Sequence, residues 1–326
     1  QSEKIEPLSE TQIGERLLDL RRDGAATRRL GDPGQFSLAG AQAKTAFHLD
    51  ATTGRWGIPL EDTPTTHIFK PPMTHLDGHT ENEHFCLQLA RMLGLDAVDS
   101  RVLSFAGEKA IVVERYDRRR VDGRTIRIHQ EDMCQALSVM PANKYENLGG
   151  PGIATIATKV LSSSNDPVRD RQAFMQANIF NWLIGGTDAH AKNYSMLLGP
   201  QGDARLAPLY DISSILPHLG EGGIRAGAHD LKLAMKIDRM YAIDAIMPRH
   251  WQRSASSARV GSEYTMQSIR HQIAVLPDLA SACAATVRAQ GISHEIVNRL
   301  VDAIAARVRG LSRIYGKEPA QNLPGQ

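Results

Sequence analysis

The pattern of apolar positions predicts an initial helix, then several short strands with one further helix in the first third of the chain. The initial helix is expected over residues 8–23, where Ser9 and Gln12 are spaced as a capping box ahead of an apolar stripe. A second helix is expected over residues 81–93, with apolar side chains on one side and Gly94 after its last turn. The runs with strand character are 45–49, the stretch from 56 onward, 66–70, 102–105 and 110–113.

After these strands the pattern changes, and few alternating β-type runs remain. Residues 115–127 are predicted to be a charged connection. An apolar run over 174–184 precedes two glycines, which is typical of a helix with a glycine stop, and 293–315 has the apolar face of a closing amphipathic helix. We therefore expect an α+β chain with two lobes, a small mixed β-sheet lobe over 1–116 and a larger, mainly helical lobe over 117–326.

The composition is ordinary for a globular protein. Of 326 residues, 42% are hydrophobic and 23% are charged, and the net charge of +2 gives no general electrostatic reason to bind nucleic acid or a membrane. The three cysteines, Cys86, Cys134 and Cys283, lie too far apart for a metal pair or a disulfide framework, which favours a reducing cytoplasm. No run reaches the roughly 20 apolar residues that span a bilayer. Because the chain starts with Gln1, we expect a processed protein or a fragment.

Two acids and an amide in the second half have the spacing that phosphoryl transfer requires. Asp188 and Asn193 enclose the segment Asp-Ala-His-Ala-Lys-Asn, and Asp-x-x-x-x-Asn is the spacing of the protein-kinase catalytic loop. In that loop the Asp accepts the proton of the acceptor hydroxyl and the Asn binds a metal ion, while a later Asp, here Asp211, supplies another metal ligand. The same spacing is common in ordinary surface loops, so this pattern alone leaves both interpretations open.

A lysine in the first half fits the same chemistry. Lys70 ends a short apolar strand ahead of the second helix, and a strand lysine in kinases contacts the nucleotide phosphates and pairs with a helix glutamate. Glu83 and Glu81 are about equally good candidates for that partner. The alternative is an ordinary strand-end lysine whose ammonium reaches solvent. This order of elements predicts a protein-kinase-like fold with nucleotide in the cleft between the lobes.

Two further segments are candidates for nucleotide contacts. The small residues of 37–45 would let main-chain N–H groups approach phosphates, although this segment is neither a Walker loop nor a Gly-x-Gly-x-x-Gly loop, and an ordinary turn is the alternative. Residues 114–116 follow the second hairpin, where main-chain groups would bind an adenine edge. Aspartates interrupt the arginines of 115–127, which favours a solvated surface over nucleic-acid binding. His190 has no second His at ligand spacing, so a structural role is favoured over zinc binding.

Taken together, these motifs resemble those of the HipA family. Its members are bacterial Ser/Thr kinase toxins of type II toxin–antitoxin modules, linked to growth arrest and persistence. The resemblance covers nearly the whole chain, and the motifs in this order are highly specific. The matching segments are 37–45, 64–70, 82–83, 113–118, 130–135, 144–146, 149–152, 188–193, 210–211 and 230–235.

The resemblance implies a role for each matched position. It implies Asp188 as the catalytic base, Asn193 and Asp211 as Mg²⁺ ligands, and Lys70 on the ATP phosphates. Ser37 matches the autophosphorylated serine of the family, whose modification switches the toxin off. The other residues implied at ATP are Ala39, Gly40, Ala41, Gln42, Ala43 and Lys44 over the phosphates, Glu114, Arg115 and Tyr116 at the adenine, and His190, Lys192 and Tyr210 along the site.

The resemblance also implies partners. Family members phosphorylate an aminoacyl-tRNA synthetase, commonly the glutamate enzyme, and so stall translation. They bind a small helix-turn-helix antitoxin of the HipB type that also binds operator DNA, so DNA contact would be indirect. Typical long members have roughly a hundred more N-terminal residues. We therefore expect that segment either to have been removed or to be a separate protein.

Two other classes of function stay open beside a cytoplasmic, ATP·Mg²⁺-dependent Ser/Thr protein kinase. One is a catalytically silent corepressor that acts only through its antitoxin, and the retention of Lys70, Asp188, Asn193 and Asp211 argues against it. The other is a small-molecule or lipid kinase with a similar catalytic loop, and the serine-containing loop and the Gln-Glu-Asp segment at 130–132 argue against it. A phosphotransfer assay separates a kinase from a silent corepressor.

Overall fold

A sheet of six strands forms the framework of the N-terminal half. The computed structural model describes residues 3–27, 38, 40, 42–73, 76–220, 224 and 230–316. The elements of this half are the strands Ile5–Pro7 (β1), Thr45–Leu49 (β2), Trp56–Pro59 (β3), His67–Lys70 (β4), Ser100–Phe105 (β5) and Glu108–Glu114 (β6), and the helices Glu10–Arg22 (α1) and His79–Met92 (α2). The spatial order of the strands is β1-β3-β2-β4-β6-β5, and neighbours pair antiparallel, which refines the mixed sheet that we expected.

The C-terminal half is mainly helical, as predicted, and also contains short strands. Its strands are Arg118–Val121 (β7), Arg124–Arg127 (β8), His129–Asp132 (β9), Ser195–Leu198 (β10), Ala204–Leu206 (β11), Lys232–Ile237 (β12) and Met240–Ala242 (β13). Its helices are Met133–Ala136 (α3), Ile153–Thr155 (α4), Pro167–Ile184 (α5), Pro248–Ser257 (α6), Ser262–Ala289 (α7) and Ile296–Tyr315 (α8). No helix in the described part of the chain is long and apolar enough to cross a membrane.

The helices α1 and α2 pack on opposite faces of the six-stranded sheet. Alternate residues of a strand point to opposite faces, and Val112 of β6 belongs to the cluster beneath α1, whereas Ile111 and Val113 belong to the larger cluster that includes α2. Phe69 of β4 is fully buried in the cluster beneath α1. The next residue, Lys70, therefore directs its side chain toward the face that α2 covers.

The predicted helix ends are confirmed where a cap or a glycine determines them. Ser9 N donates to Gln12 Oε1 at 2.8 Å and Gln12 N donates to Ser9 Oγ at 3.2 Å, so the capping box closes at the start of α1. Helix α5 ends at Gly185, whose φ of 70° is the left-handed conformation that glycine adopts without strain. These ends are set by local chemistry, which explains why the sequence predicts them well.

Helix α2 is buried on nearly every side, and not only on the side where we expected its apolar side chains. Each of residues 79–87 is buried, because the helix lies between the sheet and the C-terminal helices α7 and α8. Its polar side chains are tolerated there because they are paired. Asn82, for example, donates to the main-chain oxygen of Ser214 at 2.7 Å and accepts from its main-chain N–H at 2.9 Å. The larger hydrophobic cluster thus runs from α2 to α8, and the domain division at residue 116 stays a prediction.

Residues 115–127 were expected to be a charged connection, and most of them, residues 118–127, form a β-hairpin instead. Strands β7 and β8 pair antiparallel across the turn Asp122-Gly123. Both turn residues have positive φ, 47° and 78°, and an Asp-Gly pair in this conformation is a preferred two-residue hairpin turn. The turn signal is present in the sequence, but the surrounding arginines made the segment resemble a solvated loop.

Candidate active site

Asp188 lies in a loop that is anchored on the buried helix α5. Gly185 ends this helix with a positive φ, and a Cβ at that position would lie 2.6 Å from Leu216 Cγ, so the chain can turn here only at a glycine. The loop then closes in a 3₁₀ turn, Ala191–Asn193, and Asn193 Nδ2 donates to the main-chain oxygen of Asp188 at 3.1 Å. The two predicted site residues, Asp188 and Asn193, are therefore held together. This hydrogen bond uses the amide nitrogen of the Asn193 side chain and not its amide oxygen.

Lys70 bridges two carboxylates that come from opposite halves of the molecule. Its Nζ lies 2.6 Å from Glu83 Oε1 and 2.8 Å from Asp211 Oδ1. Burial disfavours the ammonium, but the charges of Asp211 and Glu83 outweigh burial and raise the pKa of Lys70. Burial likewise disfavours the carboxylate of Asp211, and Lys70 overcomes this and lowers the pKa of Asp211. Lys70 and Asp211 are therefore both held in charged form at neutral pH.

The structure distinguishes between the two glutamates that were candidates for the partner of Lys70. Glu81 accepts from Thr80 Oγ1 at 2.6 Å and forms an ion pair with Lys109, so its carboxylate is occupied elsewhere. Glu83 binds Lys70, and its second oxygen, Oε2, is buried without a hydrogen-bond partner in the described part of the chain. The pairing of the strand lysine with a helix glutamate is thus confirmed, with Glu83 as the partner.

The segment that we expected over the phosphates is described in part. Gly40, Gln42 and Lys44 line the cleft between the two halves, together with Lys70 and Asp211. Ala43 does not line the cleft, and its methyl group lies near Gly24. The predicted positions that lie outside the described residues are Ser37, Ala39 and Ala41.

Lys44 adds a second buried cation to the cleft, and its ammonium lies close to the main chain at Gly40. Gly40 has φ 106°, and a Cβ there would overlap the Nζ atom of Lys44, so the main chain approaches the ammonium closely. Burial, assisted by the nearby charge of Lys70, lowers the pKa of Lys44 to about 8. An anionic group in this part of the cleft would meet two ammonium groups within a low-dielectric environment.

Two stacked tyrosines form the apolar wall of the cleft near the connection between the halves. The rings of Tyr116 and Tyr210 lie 5.4 Å apart between centroids and 20° from parallel. Tyr116 donates to Gln130 Oε1 at 2.8 Å and Tyr210 donates to the main-chain oxygen of Lys192 at 2.8 Å, so both hydroxyls are fixed. Such a wall suits a flat aromatic ligand.

Two of the main-chain N–H groups in the segment 114–116, where we expected contacts with adenine, are used inside the protein, and the adenine contact itself stays a prediction. The N–H of Glu114 donates to Asp99 at 3.0 Å and the N–H of Arg115 donates to Thr66 at 2.9 Å, so neither is available to an adenine edge. The side chain of Arg115 is also occupied, with Nε and Nη2 on the two carboxylate oxygens of Asp117 at 2.9 and 2.8 Å. Glu114 and Arg115 both line the cleft, but the donors named here are already used in bonds within the protein.

His190 and Lys192 also line the cleft, on the side of the catalytic loop. His190 is 5% exposed, its Nδ1 has no hydrogen-bond partner in the described part of the chain, and burial lowers its pKa, so the ring is neutral at pH 7. Lys192 Nζ donates to Asp132 Oδ2 at 2.6 Å, and Asp132 in turn caps α3. The ammonium of Lys192 is therefore fixed by a neighbour before any ligand binds.

The cleft that these residues surround has a volume of about 520 Å³, which suits a ligand of nucleotide size. The described residues contain no group of three or more His, Cys, Asp or Glu side chains that could hold a metal ion by themselves. Asp211 and Asn193 nevertheless suit Mg²⁺, which prefers oxygen ligands and is commonly held by one or two side chains together with phosphate oxygens. The buried Nε2 of Gln42, which has no hydrogen-bond partner among the described residues, is a further donor that a phosphate oxygen would satisfy.

Two residues that contact the site, Tyr145 and Asp132, were not predicted from the sequence to have a role. Tyr145 donates to Asp188 Oδ1 at 2.6 Å, and Asp132 holds Lys192. Both lie in segments whose resemblance to the family was recognised, 144–146 and 130–135. The signal was therefore available, but only the fold shows which atoms these residues contact.

A sheet-containing half and a helical half, with a lysine–glutamate pair, a catalytic-loop Asp and Asn, and a later Asp around one cleft, define a protein-kinase-like fold. The family model of the HipA-like C-terminal domain matches residues 36–302. The chain therefore belongs to the HipA-like family of kinases.

Two curated relatives show how far the similarity extends. The protein named as kinase Y4mE of Sinorhizobium fredii is 37% identical over 297 residues, which cover 88% of this chain and 67% of that protein. The Serine/threonine-protein kinase toxin HipA of Shewanella oneidensis is 35% identical over 193 residues, which cover 56% of this chain and 43% of the toxin. The chain thus spans about two thirds of the first relative and less than half of the second.

A solved structure supports the same fold. It contains HipA and HipB of Shewanella oneidensis MR-1 with their operator DNA, and the matched chain has a TM-score of 0.75 at 22% sequence identity. The match covers 97% of this chain and 75% of the other. At this level of identity the similarity establishes the fold alone.

Proposed function

We propose that this protein is an ATP·Mg²⁺-dependent Ser/Thr protein kinase that acts as a HipA-like toxin. The observation that supports the proposal most directly is the bridge from Lys70 to Glu83 and Asp211. It places a charged lysine beside a carboxylate suited to Mg²⁺, in the same cleft as Asp188 and Asn193. Phosphoryl transfer requires these groups together, because catalysis depends on positioning and on charge stabilisation.

The residues divide the chemistry among them as follows. Asp188 orients the acceptor hydroxyl and takes its proton, while Lys70 and Lys44 hold the phosphates and the stacked Tyr116 and Tyr210 contact the base. Asn193 and Asp211 would hold Mg²⁺, which when bound neutralises charge on the phosphate oxygens. The acceptor oxygen forms its bond to the γ-phosphorus as the bond to the leaving ADP oxygen breaks.

Intact-mass measurement after incubation with ATP and Mg²⁺ tests the activity. The proposal predicts a gain of one or more phosphate groups on the protein or on an added acceptor protein, and no gain when EDTA replaces Mg²⁺. Asp188→Asn serves as the matched control, because it preserves shape while removing the base. A protein that binds ATP but transfers phosphate neither to itself nor to acceptor proteins would instead favour the silent corepressor.

The substrate and the partners of the proposed toxin follow from the family. We propose an aminoacyl-tRNA synthetase as substrate, with the glutamate enzyme first, and inhibition of translation as the consequence. A small helix-turn-helix antitoxin of the HipB type would neutralise the kinase and provide the contact with operator DNA. The support is that a relative is named as a toxin HipA and that the matched structure contains HipB and operator DNA. Radiolabelled ATP with purified synthetases tests the substrate, and co-purification with the antitoxin tests the partner.

Inactivating autophosphorylation at Ser37 is a further part of the proposal. A phosphate there would add about −1.5 to −2 charge at pH 7 close to the segment that contains Gly40 and Lys44, and would compete with ATP phosphates for the same cations. Phosphorylated and phosphatase-treated protein should therefore differ in ATP affinity, and Ser37→Ala should abolish that difference. Equal affinities of the two forms would contradict this switch.

A further inference from the structure

Tyr145 contacts the proposed catalytic base directly, although it lies outside the Asp-x-x-x-x-Asn motif. Its hydroxyl donates a hydrogen bond to Asp188 Oδ1 at 2.6 Å, which is at the short end of the range for an O–H···O bond. Asp188 is exposed, and an exposed aspartate without a fixed partner samples several side-chain rotamers. The hydrogen bond selects one of them and leaves Oδ2 available to an acceptor hydroxyl.

The ring of Tyr145 is itself held from two directions. It meets the ring of His190 edge-to-face, with 5.1 Å between centroids and an angle of 82°. The ammonium of Lys144 lies 5.0 Å from the centroid of the same ring, within the range of a cation–π interaction. Since His190 belongs to the same loop as Asp188, the tyrosine packs on the catalytic loop as well as binding its carboxylate.

The main chain around Tyr145 is also fixed. The carbonyl oxygen of Tyr145 accepts from Leu148 N at 3.0 Å and from Gly150 N at 2.9 Å, which closes a tight turn. The next residue, Glu146, accepts from the main-chain N–H of Lys236 at 2.8 Å and so ties the turn to strand β12. Because its main chain is fixed in this way, Tyr145 can hold the carboxylate of Asp188 in one position.

The protonation state of Tyr145 agrees with a donor role. Burial, followed by the hydrogen bond and negative charge of Asp188, raises the pKa of the Tyr145 phenol above its ordinary value. The hydroxyl is therefore protonated throughout the neutral range. It gives Asp188 a constant hydrogen-bond donor rather than a competing negative charge.

We propose that Tyr145 is a positioning residue of the phosphotransfer reaction, which orients the carboxylate of Asp188 toward the acceptor hydroxyl. The proposal rests on the kinase function proposed above. Tyr145 does not take part in bond making, and its effect passes through Asp188 alone. Its loss would therefore slow the chemical step and leave ATP binding intact, because misplacing a catalytic group by about 1 Å can cost a hundredfold in rate.

Tyr145→Phe is the sharpest test, because it removes only the hydroxyl. We expect kcat to fall about 10- to 100-fold, as is typical when a group that orients a site residue is lost. We expect no change in the KM for ATP or in the affinity for ATP·Mg²⁺ measured by calorimetry. Tyr264→Phe, on helix α7, is the matched control for loss of a tyrosine hydroxyl outside the cleft. It should keep the wild-type kcat.

The remaining outcomes separate this proposal from its alternatives. If Tyr145→Phe keeps the wild-type kcat and only Tyr145→Leu loses activity, the ring contributes by packing but the hydroxyl does not orient Asp188. The proposal is then wrong. A phosphate found on Tyr145 by peptide mass spectrometry would make it an acceptor and would equally overturn the proposal. Wild-type protein that transfers no phosphate to any acceptor would refute the kinase function, and the role of Tyr145 with it.

Discussion

Lys70 and Asp211 are 141 positions apart in the sequence, yet Lys70 Nζ lies 2.8 Å from Asp211 Oδ1. The first residue ends strand β4 of the sheet, and the second belongs to the C-terminal half, so their contact closes the cleft from both sides. Lys70 also binds Glu83 at 2.6 Å. Binding of a cation at Asp211 would therefore not leave the buried ammonium without a counter-charge, because Glu83 remains.

This relationship predicts that Glu83 matters for catalysis and that Glu81 does not. Glu83→Ala should weaken ATP binding and lower kcat, because Lys70 then has Asp211 as its sole carboxylate and is drawn away from the phosphates. Glu81→Ala is the matched control, since it removes an equally buried carboxylate two residues away that pairs with Lys109. Both variants should lose about 1–3 kcal/mol of folding free energy, because each removes a hydrogen-bond partner of a buried group, Lys70 or Thr80.

Thermal melting and steady-state kinetics of the two variants separate these effects. We expect the two variants to lose a similar amount in melting temperature. Only Glu83→Ala should also lose activity. Equal loss of activity in both variants would show that packing of α2, and not the ion pair with Lys70, governs the site.

Asp211→Asn should impair the binding of ATP in the presence of Mg²⁺ and change binding without Mg²⁺ much less. The amide can still accept a hydrogen bond from Lys70 but has lost the charge that holds a hard cation. Calorimetric titration of ATP with Mg²⁺ and with EDTA measures both affinities. An equal loss under the two conditions would contradict a role for Asp211 as a metal ligand.

Asp188→Asn should reduce phosphotransfer about 10²- to 10⁴-fold, the usual contribution of a general base. The fold and the affinity for ATP should persist, since Asp188 is exposed and its main-chain contact with Asn193 does not involve the carboxylate. Single-turnover phosphorylation and a binding titration provide the two readouts. Near-normal turnover would exclude Asp188 as the base.

Local signals explain which parts of the fold were predictable. The Ser9 and Gln12 capping box and the glycine after α5 act within a few residues, and both were predicted from the sequence. The Asp122-Gly123 turn was equally local, and it was missed because the flanking arginines suggested a solvated connection. An Asp-Gly pair between two short runs is a more specific signal for a hairpin than the charge of the residues around it.

Long-range packing explains what could not be predicted. The sequence of α2 indicated an apolar side, and only the partners that the fold supplies, such as Ser214 for Asn82, make the burial of its polar residues tolerable. In the same way, the sequence suggested Asp188 as a base but gave no indication that Tyr145 would reach its carboxylate. The identity of the site residues followed from motif spacing, whereas their hydrogen-bond partners depend on tertiary structure.

Nucleotide binding should depend on pH through Lys44. Its pKa is lowered to about 8 by burial and by Lys70, while Asp211 and Glu83 oppose the shift and Lys144 adds to it. Below pH 8 the amine is charged and attracts phosphate, and above pH 8 the charge is lost. If binding requires the ammonium, ATP should bind about tenfold more weakly at pH 9 than at pH 7, since only about a tenth of the protein is then competent.

Lys44→Arg is the matched variant, because arginine stays charged throughout this range, and its affinity should not change between the two pH values. Calorimetric titrations of both proteins at constant ionic strength and Mg²⁺ provide the measurement, and an identical decline in wild type and Lys44→Arg would assign the pH dependence to another group.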